Sequence, residues 1–230
     1  MKRILIMAGG TGGHIFPALA VAQALHHSGV DVHWLGSRGG LEERLVPEQF
    51  SMSYVAIKAF RGTGLLKKLL MPWRLVRAIV KSYRIIRRLQ PDVVLGMGGY
   101  ASAPGGLAAW LMNKPLVVHE QNAAAGLTNR LLAKIATKVC CAFPNAFQNN
   151  VKALVVGNPL RANITQSNGQ ASDNRDDAKS THNILVVGGS LGAQVLNEIV
   201  PSSFATLAKN STKTSARRLY FLNVILLSRN

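Results

Sequence analysis

Three times in this chain a short apolar run ends in a cluster of glycines and passes straight into a helical pattern. Ile4-Leu5-Ile6-Met7 leads into Gly9-Gly10-Thr11-Gly12-Gly13-His14. Val93-Val94-Leu95 leads into Gly96-Met97-Gly98-Gly99-Tyr100. Ile184-Leu185-Val186-Val187 leads into Gly188-Gly189-Ser190-Leu191-Gly192-Ala193. Short runs rich in β-branched residues read as buried strands, and glycines allow a tight turn with a helix packed close behind it. Repeated strand–turn–helix units demand an α/β architecture with a parallel sheet.

The rest of the first 165 residues keeps that alternation. Strands are expected at 3–7, 31–35, 54–57, 93–95, 116–119, 138–142 and 154–156. Helices are expected at 16–27, 42–48, 73–89, 105–112 and 127–136. The implied sheet carries helices on both faces. Residues 166–182 hold no large aliphatic or aromatic side chain and read as a linker. A second α/β domain starts at 183–200, with a helix expected at 193–199. From 201 to 230 the text turns to Ser, Thr, Lys and Arg, with no glycine turn and no acid. The expectation is a complete first domain (1–165), a linker (166–182), the start of a second domain (183–200) and a poorly ordered, unrelated tail (201–230).

Composition narrows the function. Lys and Arg total 27 against 10 Asp and Glu, a net charge of +17. Such an excess calls for a negative partner: nucleic acid, anionic lipid or a phosphorylated substrate. The only cysteines are the adjacent Cys140 and Cys141, so disulfide scaffolds and cysteine metal clusters are excluded. A reducing compartment is expected. The N-terminal Met1-Lys2-Arg3 and its short apolar run end at once in glycines, which reads as a strand rather than a signal peptide. No run reaches the ~18 apolar residues of a membrane span.

Glycine turns at strand C-termini, each opening a helix, point backbone N–H groups at an anion. A tight packing turn would use the same residues. Three turns of one design favour a phosphate or diphosphate ligand in the crevice above the sheet. None is followed by Gly-Lys-Ser/Thr, so none is a P-loop. Gly96, Gly98 and Ala101 do satisfy G-x-G-x-x-A, and Glu120 lies about 20 residues on, as a dinucleotide fingerprint requires. A dinucleotide enzyme is therefore one alternative. His14, inside the first turn, is placed to take a proton near neutral pH. His119, Glu120, Gln121 and Asn122 gather at a strand end, where they bind a ligand or cap a turn. Arg161, after Gly157-Asn158-Pro159-Leu160, reaches a phosphate or stays solvated.

Residues 61–88 hold nine Lys or Arg and no acid. At ~100° per residue, Arg74, Arg77, Lys81, Arg84 and Arg88 share an arc of about 80°. Much of the remaining circumference is apolar. A packed helix with a solvated stripe would look like this, but the surplus of apolar surface in 65–88 fits an anionic membrane surface better. Nucleic acid is the rival, although no recognisable nucleic-acid module is present. A non-catalytic basic membrane-binding domain is the third alternative.

The stretches MAGGTGGHIFPALAVA, PDVVLGMGGYASAPGGLAAW, HEQNAAAGLTNRLLAKIATKV, VVGNPLR and VVGGSLGAQVLN carry a resemblance. Over residues 1 to about 200 and in this order, they resemble the MurG family of peptidoglycan glycosyltransferases. The resemblance implies a GT-B arrangement of two α/β domains, an acceptor domain followed by a donor domain. It implies transfer of N-acetylglucosamine from UDP-N-acetylglucosamine to an undecaprenyl-diphosphate-linked muramyl-pentapeptide, with inversion and without a metal cofactor. Thr11, Gly12 and Gly13 would lie against the sugar nucleotide or the acceptor diphosphate. Asn122, Arg161 and Ser190 match positions for UDP-N-acetylglucosamine. His14 is the candidate base; Tyr100 and Glu120 are weaker candidates. Peripheral attachment to anionic lipid, on the cytoplasmic face of the bacterial inner membrane, follows through 65–88, and no nucleic-acid partner. Leu191 stands where many relatives carry Gln, and no motif of the family is found after Pro201. The chain is expected to be truncated and, alone, inactive.

Overall fold

The computed structural model describes residues 1–57, 71–147, 151–161, 183–188, 198–203, 205–206 and 218–223. The chain divides into two compact units, Met1–Gln170 and Ala171–Asn230.

The first unit runs β1 (Arg3–Met7), α1 (Gly12–His27), β2 (Asp31–Ser37), α2 (Glu42–Leu45), β3 (Ser51–Val55), α3 (Met71–Leu89), β4 (Val93–Gly96), α4 (Ser102–Leu111), β5 (Leu116–Glu120), α5 (Leu127–Leu132), β6 (Lys138–Cys141) and β7 (Leu154–Val155). The strands form one sheet in the order β3-β2-β1-β4-β5-β6-β7. Every pairing is parallel. This is the parallel α/β architecture that the alternating pattern predicts. Side chains of β1 alternate between two cores, as the pleat requires. Leu5 and Met7 pack with Leu35, Ile86 and Leu116 on one face. Ile6 and Ala8 pack with Ile15, Leu19 and Trp34 on the other. The central strands β1, β4 and β5 are thus covered on both faces, which is why most of their side chains are apolar.

Strand order reverses between β1 and β4. A sheet that winds both ways from adjacent strands opens a crevice above their C-terminal ends. The register pairs Met7 with Gly96, so the first two glycine turns leave the sheet side by side.

Some boundaries shift from the sequence reading. Helix α1 starts at Gly12, not at 16, because the Thr11 carbonyl accepts from the His14 and Ile15 N–H groups at 3.1 and 3.2 Å. The glycines therefore belong to the first helical turn. β3 lies at Ser51–Val55 rather than 54–57. Its Ser53 is buried against His33, with 2.9 Å between Oγ and Nε2, so a polar side chain occupies an inward position that pattern reading assigns to a loop.

In the second unit β8 (Asn183–Gly188) pairs in parallel with β9 (Arg218–Asn223), in register from Asn183↔Arg218 to Gly188↔Asn223. β9 lies inside the 201–230 stretch expected to be a poorly ordered tail. It coincides with Leu219-Tyr220-Phe221-Leu222, aromatic and aliphatic residues that favour an extended chain. Residues 198–203 are helical, whereas the start of the helix expected at 193–199 lies outside the described residues.

Candidate active site

The first two turns are pressed together. A Cβ on Gly99 would overlap the Gly9 carbonyl, and Gly99 has φ +87°. Only glycine permits this approach. A Cβ on Gly98 would stand 2.6 Å from His14 Cδ2 and 2.9 Å from its Nε2. The imidazole edge therefore lies directly on the second turn. Ser102 secures the junction, its one hydroxyl proton lying between the carbonyls of Met7, at 2.8 Å, and Gly98, at 2.7 Å. Thr11 Oγ1 and His14 Nδ1 are 3.1 Å apart, which fixes the ring on its own helix turn. The Tyr100 ring lies beside Gly10.

The β5 end is organised by Glu120, which is fully buried. One of its oxygens accepts from the Asn122 backbone and side chain at 2.9 and 2.8 Å. The other accepts from Gly126 N–H at 3.1 Å and Asn129 Nδ2 at 2.8 Å. Burial alone would raise this carboxyl; the bonds from Asn122, Asn129 and Gly126 outweigh it and hold Glu120 below the usual range. A carboxyl sealed from water and already accepting four hydrogen bonds positions its neighbours. It offers nothing to a ribose hydroxyl, so the dinucleotide fingerprint formed by Gly96, Gly98, Ala101 and Glu120 lacks its acidic partner. The same bonds make Glu120 a poor proton acceptor for substrate.

Asn129 was not singled out by sequence, because one amide on a helix reads as surface. It is buried on α5, bridges Glu120 and the His119 carbonyl, and lies beside Gly98. It thereby links the β5 end to the two glycine turns. Arg161 stacks over the Phe16 ring, with 4.8 Å from Cζ to the centroid. That contact brings the 157–161 turn to the start of α1. Asn122 is exposed and held by Glu120. Ser190, Leu191 and the third turn beyond Gly188 lie outside the described residues.

Burial lowers the pKa of His14, with the Glu120 charge partly opposing it. Burial also lowers His119 and His33. His119 donates from Nε2 to the Gly157 carbonyl at 3.1 Å, and its Nδ1 is buried without a partner among the described residues. In the fold these three rings take up protons only at lower pH than in the unfolded chain, whose histidines titrate near the usual value of about 6.5. Their contribution is complete above that value and drains as pH falls below it. Glu120, depressed in the fold, adds a loss at still lower pH, so both effects have one sign. We expect the melting temperature of the first unit to fall as pH is lowered from about 7.5 to 5.5. Calorimetry that gives a flat or rising value across that window would contradict the assignment.

The profile of the glycosyltransferase family 28 N-terminal domain matches residues 4–141. The chain is 56% identical over 214 residues to a Colwellia psychrerythraea protein, covering 92% of this chain and 55% of that one. A Shewanella oneidensis relative is 51% identical over 93% of this chain and 58% of its own. Both are named UDP-N-acetylglucosamine–N-acetylmuramyl-(pentapeptide) pyrophosphoryl-undecaprenol N-acetylglucosamine transferase. The chain thus spans somewhat more than half the length of these relatives. The aligned stretch is longer than 201 residues and so runs past Pro201, further than the sequence motifs reach. The crystal structure of Acinetobacter baumannii MurG is similar at a TM-score of 0.73 and 35% identity, over 98% of this chain and 69% of that one. With a domain profile matching more than half its length and close relatives sharing one name, the chain belongs to glycosyltransferase family 28.

Proposed function

We propose that this chain is the acceptor-binding half of an inverting glycosyltransferase. The reaction moves N-acetylglucosamine from UDP-N-acetylglucosamine to lipid-linked N-acetylmuramyl-pentapeptide. The observation that carries this reading is the meeting of two glycine turns around His14 at the switch point of the sheet. Gly12 and Gly13 head α1, where the N–H groups of a first helical turn favour an anion. Thr11, Gly12 and Gly13 hold diphosphate there. With its proton on Nδ1 and donated to Thr11, His14 presents Nε2 as a base. The acceptor oxygen bonds to the anomeric carbon as the bond to UDP breaks, and the hydroxyl proton passes to Nε2. Asn122, Arg161 and Ser190 contact the sugar nucleotide. Tyr100 lines the same crevice. No metal takes part in this scheme. The test is UDP release by the chain completed with an in-frame second domain. Release must require the lipid acceptor; release without it would defeat the reading.

The second part of the proposal is peripheral attachment to anionic lipid, on the cytoplasmic face of the bacterial inner membrane. Among the described residues no helix is long and apolar enough to cross a membrane. Helix α3 buries Ala78, Ser82, Ile85 and Ile86. Its outer side carries Trp73 at 63%, Val76 at 49% and Val80 at 43% exposure. Together with Arg74, Arg77, Lys81, Arg84 and Arg88, these apolar residues line an open groove next to β3. Residues 58–70, which include the start of the 65–88 segment, lie outside the described residues. Changing Arg74, Arg77, Lys81 and Arg84 to Gln is expected to weaken binding to anionic vesicles strongly, since each basic residue near such a surface contributes about 1 kcal/mol. Sedimentation with vesicles at low salt reads it, and unchanged partitioning would end the claim.

A further inference from the structure

We propose that Glu42 is the positioning residue of the first glycine turn, holding it in the shape that receives phosphate. The proposal rests on the reading of that turn as a diphosphate cradle. Glu42 opens α2, away from the proton chemistry assigned above, and is fully buried. Its Oε1 accepts from the Ser37 N–H at 2.7 Å and the Ser37 hydroxyl at 2.6 Å. Its Oε2 accepts from the Gly10 N–H at 3.2 Å. One carboxyl thus ties the turn after β1 to the turn after β2.

The surroundings are shaped for this group. A Cβ on Gly9 or Gly40 would stand 2.5 Å from Glu42 carboxyl oxygens, and one on Gly36 would stand 2.7 Å from its Cγ. Two turns give up side chains around one carboxyl. Gly10, the residue that it anchors, has φ +88°, a conformation open to glycine, which leaves the turn free to take several shapes unless a contact such as this one selects one. Immediately beyond come Thr11 and the first helical N–H groups. A purely structural carboxyl would brace the α2 turn through Ser37 alone. The bond to Gly10 reaches into the ligand-facing loop instead.

Glu42→Gln tests this. The amide keeps the shape, but in either orientation its NH₂ faces a backbone N–H, of Ser37 or of Gly10, and one bond becomes a clash of donors. The assay is titration of the 230-residue chain with inorganic pyrophosphate, read from the amide resonances of Gly12 and Gly13. Ser53→Ala is the control, a buried hydroxyl lost from the neighbouring β3, away from the turn. Glu42→Gln is expected to weaken pyrophosphate about tenfold, the cost of one lost bond to a buried donor, while Ser53→Ala leaves it unchanged. Unchanged affinity in Glu42→Gln, or equal weakening in both variants, overturns the proposal. If the wild-type chain does not bind pyrophosphate at all, the cradle reading falls by itself. Gly10 amide exchange then decides the positioning claim: faster exchange in Glu42→Gln supports it, and equal exchange overturns it. Should Glu42→Gln fail to fold, Ser37→Ala removes one donor from the same carboxyl, and weaker pyrophosphate binding supports the proposal while unchanged binding overturns it.

Discussion

His14→Ala, made in a chain completed with an in-frame second domain, is expected to lower acceptor-dependent turnover by about 10²–10⁴-fold, the usual cost of a lost general base. Affinity for the sugar nucleotide should change far less. The expectation rests on three features of the ring. Its Nδ1 is engaged by Thr11 Oγ1, so its rotation is fixed from its own helix turn. Its Nε2 edge lies against Gly98, in the crevice between the two turns. Burial holds its pKa below the usual value, so the ring is neutral, and able to accept a proton, at neutral pH. The wild-type rate should therefore hold near pH 7 and decline only as pH falls below the usual histidine value. In His14→Ala this acid limb should vanish together with the rate. Thr11→Ala should act in the same direction but more weakly, since it frees the ring without removing it. Turnover within a few-fold of wild type in His14→Ala would reduce the histidine to a packing role between the turns.

The parallel sheet, the order of elements and the turn containing His14 are legible in the sequence because each depends on local patterns. Apolar runs mark strands, glycines mark close turns, and their alternation leaves little else to build. What local pattern does not carry is which distant side chain meets which turn. Glu42 looks like one acid in a short charged helix, and Asn129 like one amide on a surface helix. Glu42 is buried where the turns after β1 and β2 meet, and Asn129 where α5 folds back onto the end of β5. Glu120 shows the opposite error. Its spacing from Gly96 suggests a ribose ligand, yet its oxygens are consumed by Asn122, Gly126 and Asn129. The start of α1 was displaced for a related reason, since the backbone bonds from His14 and Ile15 to Thr11 leave no trace in hydrophobic periodicity.

The 230-residue chain on its own is expected to show no measurable sugar transfer. A displacement needs donor and acceptor held within reach and in line, and that alignment supplies up to ~7–11 kcal/mol of the barrier reduction. On the reading proposed above, the first unit holds one side of the reaction: the two glycine turns, His14 on their seam, and Asn122 and Arg161 at the rim. Relatives that carry the transferase name are longer, this chain spanning 55% and 58% of two of them. On that same reading, the rest of the nucleotide contacts come from the remaining length, because this chain offers a charged, flexible donor only the amide of Asn122, the guanidinium of Arg161 and the hydroxyl of Ser190. Asn122 and Arg161 are exposed, and an exposed polar contact binds little. UDP-N-acetylglucosamine should therefore bind poorly, and without bound donor the positioned base has nothing to act on. The first unit, with its seven-stranded sheet and two cores, should nevertheless fold and resist protease, while cleavage is expected readily beyond about residue 166, where the linker composition begins. Limited proteolysis and UDP release, measured on one preparation, separate loss of fold from loss of donor. A protease-resistant first unit with no release, and release restored by an in-frame second domain, is the expected pair of results. Acceptor-dependent UDP release from the 230-residue chain alone would show that one unit suffices for the chemistry.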